Sequence, residues 1–295
     1  MSDAETKLAD QQGKFTQVVK DGKKVPEIDW IAGRLLLSNK RLILASNEGK
    51  RTIPLSKISS IKGRRNANEP LAQVSNYLSL QVGNNVTLVS PKHHVEFEQK
   101  LYSAVIDQQV IAAKHPAVEG GVVQDTGWTK GRVTLDFEGA SETEEGVVAL
   151  ALSDGQFVEI EILDVGIVEE NEGEVFGEER FIIEVEHTVD ATAVETHISG
   201  PRQRVNILAE LLRKGEIQNT TDVELTDEER EVLMALYSGV SSFQIPDFTG
   251  MDVERVEEVY NQLIEEGVLE KKRTRREVQL KARGRHIASE AMDRQ

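Results

Sequence analysis

The sequence predicts an α+β protein, and three observations carry that prediction. Two long stretches each read as short apolar strands closed by one helix, and the C-terminal quarter reads as three helices followed by two extended runs. The 295 residues suffice for two or three domains, each with its own core. The expected divisions are a flexible end over 1–13, a basic module over 14–115, an acidic module over 116–216, a linker over 217–224 and a last domain over 225–295.

The C-terminal domain has the clearest signals. Thr226-Asp227-Glu228-Glu229 has the spacing of a capping box, so a helix starts there. Val232, Leu233, Leu236 and Tyr237 supply its apolar stripe and Gly239 its C-terminal cap. A shorter element over Ser242–Phe248 breaks at Gly250. Asp252 caps a third helix with the stripe Val253, Val256, Val259, Leu263 and Ile264, ending at Gly267. Val268–Lys271 and Glu277–Lys281 follow as extended runs joined by the basic turn Lys272-Arg273-Thr274-Arg275-Arg276. Three helices and a basic ribbon are the pattern of a winged helix.

In the first module, Arg34–Leu37 and Arg41–Leu44 read as strands broken at Ser38-Asn39. A turn at Asn47-Glu48-Gly49 leads into Thr52–Leu55, with Ile58 and Ile61 continuing the apolar face. Tyr77–Val82 and Val86–Val89 flank a tight turn at Gly83-Asn84-Asn85. Phe97, Leu101, Ala104, Val105 and Val110-Ile111 then predict a helix to about Lys114. The second module repeats the plan with little identity. Gly131-Arg132 mirrors Gly33-Arg34, and FVEIEILDVGIVEE stands in the place of TIPLSKISSIKGR. An acidic loop is expected over Asn171–Gly177, then the hairpin FIIEVEHT–AVETHISG. A closing helix carries Val205, Leu208, Leu211 and Leu212 and is expected to stop at Gly215. Strands closed by a C-terminal helix give the order of pleckstrin-homology-like or GRAM-like β-barrel modules.

Composition limits what the chain does. Without cysteine there is neither disulfide nor thiolate chemistry. No run reaches the length of a membrane span and the polar N-terminus is unlike a signal peptide, which fits the cytoplasm. The net charge is −16, distributed unevenly. Residues 14–115 carry sixteen Lys/Arg against eight Asp/Glu, and residues 116–216 carry seven against twenty-three. Such asymmetry points to different partners for different regions, or to packing between neighbours.

No phosphate-binding, nucleophile-elbow or zinc-protease motif is present, so no enzyme activity and no cofactor are expected. Tandem acids such as Glu144-Glu145 and Glu178-Glu179 read as solvated loops, and His93-His94 as surface or cap. Glu184, Glu186, Glu195 and His197 fall on one face of a hairpin. Their spacing matches no dedicated ligand pattern, so they read as a wet strand face and no metal is expected.

A winged helix invites comparison with DNA readers, whose third helix enters the major groove. Here the solvent face of that helix carries Glu254, Arg255, Glu257, Glu258, Asn261, Gln262 and Glu265, a mainly acidic set that a duplex repels. A winged-helix transcription regulator is therefore the second reading, and no nucleic acid is expected as partner. The candidate protein-binding residues are Lys272, Arg273, Arg275 and Arg276 of the wing, then Arg64 and Arg65. The latter end a basic set with Lys40, Arg41, Lys50, Arg51, Lys57 and Lys62, which suits an acidic protein ahead of an anionic lipid surface.

The strings GRLLLSNKRLIL with IPLSKISSIKGR, AKHPAVEGGVV, ERFIIEVEHT with VETHISG, REVLMALYSGVSSFQIPDFTGMD and RREVQLKARGRHIASEAM resemble the archaeal taxis protein CheF family. The resemblance spans nearly the whole chain. It implies a non-catalytic chemotaxis adaptor between the response regulator CheY and the switch complex of the archaellum. On that implication the protein is cytoplasmic, is recruited to the archaellum base, and changes partner when CheY is phosphorylated. It brings no catalytic residues and no binding motif. Winged helices often pair, so a homodimer is compatible with the sequence.

Overall fold

A computed structural model describes residues 4–26, 28–63, 76–137, 146–190, 192–219 and 225–269. The architecture is mixed, mostly strand, with two curled antiparallel sheets and a C-terminal helical region. These form two compact units, one with both sheets and the helices that close them, the other with most of the C-terminal helical region.

The first sheet comprises β1 (Lys7–Lys20), β2 (Lys23–Lys24), β3 (Ile31–Ser38), β4 (Arg41–Ser46), β5 (Gly49–Pro54), β6 (Ile58–Gly63), β7 (Leu78–Val82) and β8 (Asn85–Pro91). Its order is β5-β4-β3-β1-β8-β7-β6, with β2 paired to β1, and α1 (His94–Ile106) follows. The second sheet repeats this strand for strand. It contains β9 (Val110–Glu119), β10 (Val122–Val123), β11 (Thr129–Asp136), β12 (Val147–Leu152), β13 (Phe157–Glu161), β14 (Ile167–Val175), β15 (Glu178–Val189) and β16 (Thr192–Ser199). Its order is β13-β12-β11-β9-β16-β15-β14, and α2 (Arg202–Asn219) closes it. Even the short 3-10 turns recur, at Leu55–Lys57 and Ile162–Asp164.

Gly33 and Gly131 occupy equivalent places for one physical reason. A Cβ on Gly33 would collide with the carbonyl oxygen of Ala45 on β4, and one on Gly131 would come within 2.7 Å of the carbonyl oxygen of Ala151 on β12. Strand glycine marks such close backbone approach. The repeated Gly-Arg pair thus reports a repeated crowding, though the flanking sequences have diverged.

Four expectations need correction. Residues 7–13 are strand and no frayed end: they pair with β3, and from Gly13 onward β1 pairs with β8 as well. Its polar sequence is compensated by bidentate contacts, Arg34 donating to Asp10 at 2.6 and 2.9 Å and Arg41 to Glu5 at 2.8 and 2.8 Å. The first closing helix ends at Ile106, not Lys114, because Gln108 turns to a left-handed φ of 61°. Val110–Glu119 then runs as β9 with Ile111, Ala113 and Ala117 facing the core, so the division expected at 115/116 falls inside a strand. Asn171–Val175 belongs to β14, and only Phe176 and Gly177, both at positive φ, form the turn into β15. Finally, α2 passes through Gly215 to Asn219.

Gly215 is there because α2 lies hard against the 3-10 turn of the second sheet: a Cβ would strike the carbonyl oxygen of Ile162. The same helix packs on β6 of the first sheet. Asn206 Nδ2 donates to Ser59 O at 3.0 Å and Arg204 Nη2 to Leu55 O at 3.2 Å. Leu208, Leu211 and Leu212 of α2, Leu101 and Val105 of α1, and Ile58, Ile61, Val133 and Ile160 of the strands form one continuous apolar core.

A polar cluster sits inside the second sheet. Thr196 Oγ1 lies 2.7 Å from His115 Nδ1 and 2.8 Å from His187 Nε2, and its single hydroxyl hydrogen can serve only one of the two rings, so at least one ring donates to it. The rings stack at 5.9 Å. His187 is 2% exposed, and its Nδ1 has no partner among the described residues. Burial, then the neighbouring His115, pushes the His187 imidazole down to about 4.

In the helical unit, Thr226 and Glu229 form the reciprocal box that starts α3 (Asp227–Tyr237): Thr226 N–H donates to Glu229 Oε2 at 2.7 Å and Glu229 N–H to Thr226 Oγ1 at 3.3 Å. After α4 (Ile245–Thr249), Gly250 caps at φ 75°. Asp252 caps α5 (Val253–Glu265) by accepting from Arg255 N–H at 2.8 Å. The core is Val232, Ala235, Ile245, Val256, Val259 and Leu263. Tyr237 and Val253, expected on the apolar stripes, are 54% and 63% exposed. Both are terminal residues of their helices, where the buried face has already turned away. The wing lies outside the described residues apart from Val268 and Leu269.

Replacing Gly131 or Gly215 with Ala lowers stability by roughly 1–3 kcal/mol through overpacking, read as an earlier urea midpoint than an exposed Gly→Ala control. Stability held by neutral His187 is complete above about pH 6.5 and is lost as pH falls toward 4, by up to roughly 3 kcal/mol. Urea titrations across that window should show a flatter acid loss for His187→Gln than for wild type.

Candidate interaction surfaces

The residues singled out for partner binding, Lys272, Arg273, Arg275, Arg276, Arg64 and Arg65, all lie outside the described residues. The rest of the first basic set is described, and the fold divides it. Lys40 and Lys57 share one end of the sheet, since Leu55 N–H donates to Lys40 O at 2.9 Å. Lys50 and Arg51 are at the opposite end, after the β4–β5 turn. Arg41 is engaged by Glu5, and half-buried Arg51 donates to Gln17 Oε1 at 3.0 Å. Burial lowers the Arg51 pKa from its ordinary value. Lys62 reaches Glu210 of α2 at 3.0 Å. Lys40, Lys50 and Lys57 remain solvent-exposed.

The second sheet has the opposite character. Strand alternation sends Ile183, Val185, Val194 and Ile198 into the core, leaving Glu184, Glu186, Glu195 and His197 for the other face. The strands align these residues crosswise: Glu169 on β14 faces Glu184 on β15, which faces His197 on β16. One step along, Glu186 faces Glu195. Like charges directly opposite one another are destabilising, so this face carries an electrostatic cost. Donor atoms of Glu184, Glu195 and His197 all lie within 4.8 Å of one another, close enough to hold a metal ion. The sequence reading put these side chains on one face but had no means to see them converge.

Beside this face the β14–β15 hairpin borders an open cleft of about 980 Å³, lined by Val110, Lys130, Phe176, Arg180, Phe181 and Arg202 among others. The Arg202 guanidinium lies 4.8 Å from the Phe181 ring centre, and Lys130 Nζ lies 5.7 Å from that of Phe176. The sequence reading missed this cleft. Its one available signal was Phe176-Gly177, an aromatic placed at a hairpin tip.

The remaining chemical candidates are bland. Glu144-Glu145 lies outside the described residues, and Glu178 pairs with Arg180 at the exposed hairpin tip. His93 precedes α1 without a side-chain capping bond; burial lowers the pKa of His94, whose nearest carboxylate is Glu98 at 4.0 Å. Among the described residues, no helix is long and apolar enough to cross a membrane.

Ion pairs join the two modules in both directions. Among the described residues, Lys62–Glu210 joins a cation of the first module to an anion of the second, while Lys214–Glu98, at 3.0 Å, runs the other way. Among the described residues these two opposed pairs leave the charge difference between the modules unchanged.

Residues 7–218 match the family described as Archaeal Chemotaxis signal transduction system protein F, and residues 224–293 match a domain family of unknown function. The chain is 47% identical to Taxis protein CheF1 of Halobacterium salinarum over 296 aligned positions, covering 99% of each chain. It is 25% identical to Taxis protein CheF2 of the same organism over 249 positions, covering 81% of this chain and 83% of that one. The chain belongs to the archaeal CheF family of chemotaxis signal transduction proteins.

Proposed function

We propose that this protein is a non-catalytic adaptor that binds the phosphorylated response regulator CheY and passes that state to the motor switch complex of the archaellum. The observation that carries the proposal is the opposite charge of the two modules, which the ion pairs between them among the described residues leave unchanged. Oppositely charged faces that do not neutralise each other steer different partners to different places. Membership of a taxis signalling family supplies the context. In this reading the two repeats are pleckstrin-homology-like modules, and the division drawn at 115/116 from the sequence moves back to residues 107–109, between α1 and β9. Seven main strands and a closing helix in each repeat favour that assignment. Residues 225–295 are a winged helix turned to protein recognition.

A phosphorylated receiver domain presents carboxylates and an added phosphoryl charge, for which an Arg/Lys surface is the natural receptor. Lys272, Arg273, Arg275 and Arg276 are the first candidates, Arg64 and Arg65 the second. The rival DNA-binding reading gains nothing. α5 exposes Glu254, Glu257, Glu258 and Glu265, and its Arg255 is held by Glu228 and by Glu258 at 2.8 Å.

The purified chain should bind its cognate CheY more tightly with a phosphoryl mimic present, and Arg275→Glu with Arg276→Glu should weaken that binding at least tenfold, about 1.4 kcal/mol. Calorimetric titration checks both. Unchanged affinity in the double variant rejects the wing as receptor, and no binding in either state rejects the adaptor. Salt-sensitive retention on duplex DNA would instead favour the regulator.

A further inference from the structure

The outer face of the second sheet gathers three donors that nothing in a taxis adaptor requires. Glu184 comes from β15, and Glu195 and His197 from β16. His197 Nε2 contacts Glu195 Oε1 and lies 4.0 Å from Glu184 Oε1, so one imidazole nitrogen is set between two carboxylates. The side chains are 20%, 30% and 18% exposed, respectively. Partly desolvated carboxylates need a counter-charge, and no Lys or Arg forms an ion pair with Glu184 or Glu195 among the described residues. Lys114 stands opposite His197 on β9 but makes no such pair. Glu169 and Glu186, directly opposite Glu184 and Glu195 on their neighbouring strands, add to the negative field.

We propose that Glu184, Glu195 and His197 form a binding site for one divalent transition-metal ion, with Zn2+ the best match. One imidazole and two carboxylates are an N/O set that zinc accepts, and three protein ligands leave a fourth, tetrahedral position for water. The imidazole argues against Ca2+ and Mg2+, which take oxygen ligands. Bonds of about 2.0–2.2 Å place tetrahedral ligand atoms roughly 3.4 Å apart. The three donor atoms, all within 4.8 Å of one another, therefore lie within about 1–1.5 Å of that spacing. All three ligands stand on paired strands, so the backbone is already fixed when the ion arrives. The Trp128 ring, 6.3 Å from that of His197, flanks the site. Two positive charges replace the repulsion between the two ligand carboxylates with attraction, and offset half the charge of the four carboxylates Glu169, Glu184, Glu186 and Glu195.

The test is calorimetric titration of the full-length, chelator-stripped chain with Zn2+, with Co2+ absorption as an independent report of coordination geometry. One ion per chain is expected. His197→Gln and Glu184→Gln should each weaken binding by roughly tenfold or more, while Glu159→Gln, on the opposite edge strand β13, should leave it unchanged. Should either ligand variant fail to fold by circular dichroism, Glu195→Gln serves in its place. No saturable binding at millimolar Zn2+, or undiminished binding in the ligand variants, overturns the site.

Discussion

The close approach of α2 to the Ile162 carbonyl, possible only because residue 215 has no side chain, governs much of the sheet-bearing unit. It lets one helix serve two sheets: the helix closes its own repeat and, through Asn206 and Arg204, fastens the edge of the other. The result is one apolar core where the sequence pattern suggests two. A duplicated plan has thus become a single cooperative object, in which loss of α2 would expose apolar surface in both halves.

Fusion at the core leaves the outer surfaces to diverge. Strand alternation separates what faces inward from what faces water, so the two repeats keep the same buried pattern while their exteriors take opposite charge. Ladder hydrogen bonds and core packing hold carboxylates opposite one another on β14, β15 and β16 against their repulsion. A surface maintained at such a cost is more simply explained by what it meets than by what it contributes to folding.

Local chemistry was legible in the sequence wherever one residue type dictates one geometry. The capping box at Thr226 and Glu229, the cap at Asp252, the turn at Gly250 and the repeated Gly-Arg pair all stand where their physics puts them. What sequence could not show was tertiary context. Gly215 reads as a helix stop because glycine often is one, but here it answers a neighbour 53 positions away. The polar start of β1 resembles a loose end until Arg34 and Arg41 are seen to hold Asp10 and Glu5. Likewise, the alternation in FIIEVEHT and VETHISG separates faces, but only strand register brings Glu184, Glu195 and His197 to one point. The acidic stretch Asn171–Gly177 misleads for the same reason, since an edge strand and a loop are both polar.

Only Asp107, Gln108 and Gln109 separate α1 from β9, and Gln108 and Gln109 are themselves bonded to Val133 of the second sheet. No slack tether joins the repeats. Two ligands seated on the two modules would face each other at an effective concentration set by rigid geometry rather than by chain length, with no linker entropy to spend when the second arrives. A molecule so built would act as a fixed gauge between two such ligands, admitting pairs whose own dimensions match the spacing it imposes.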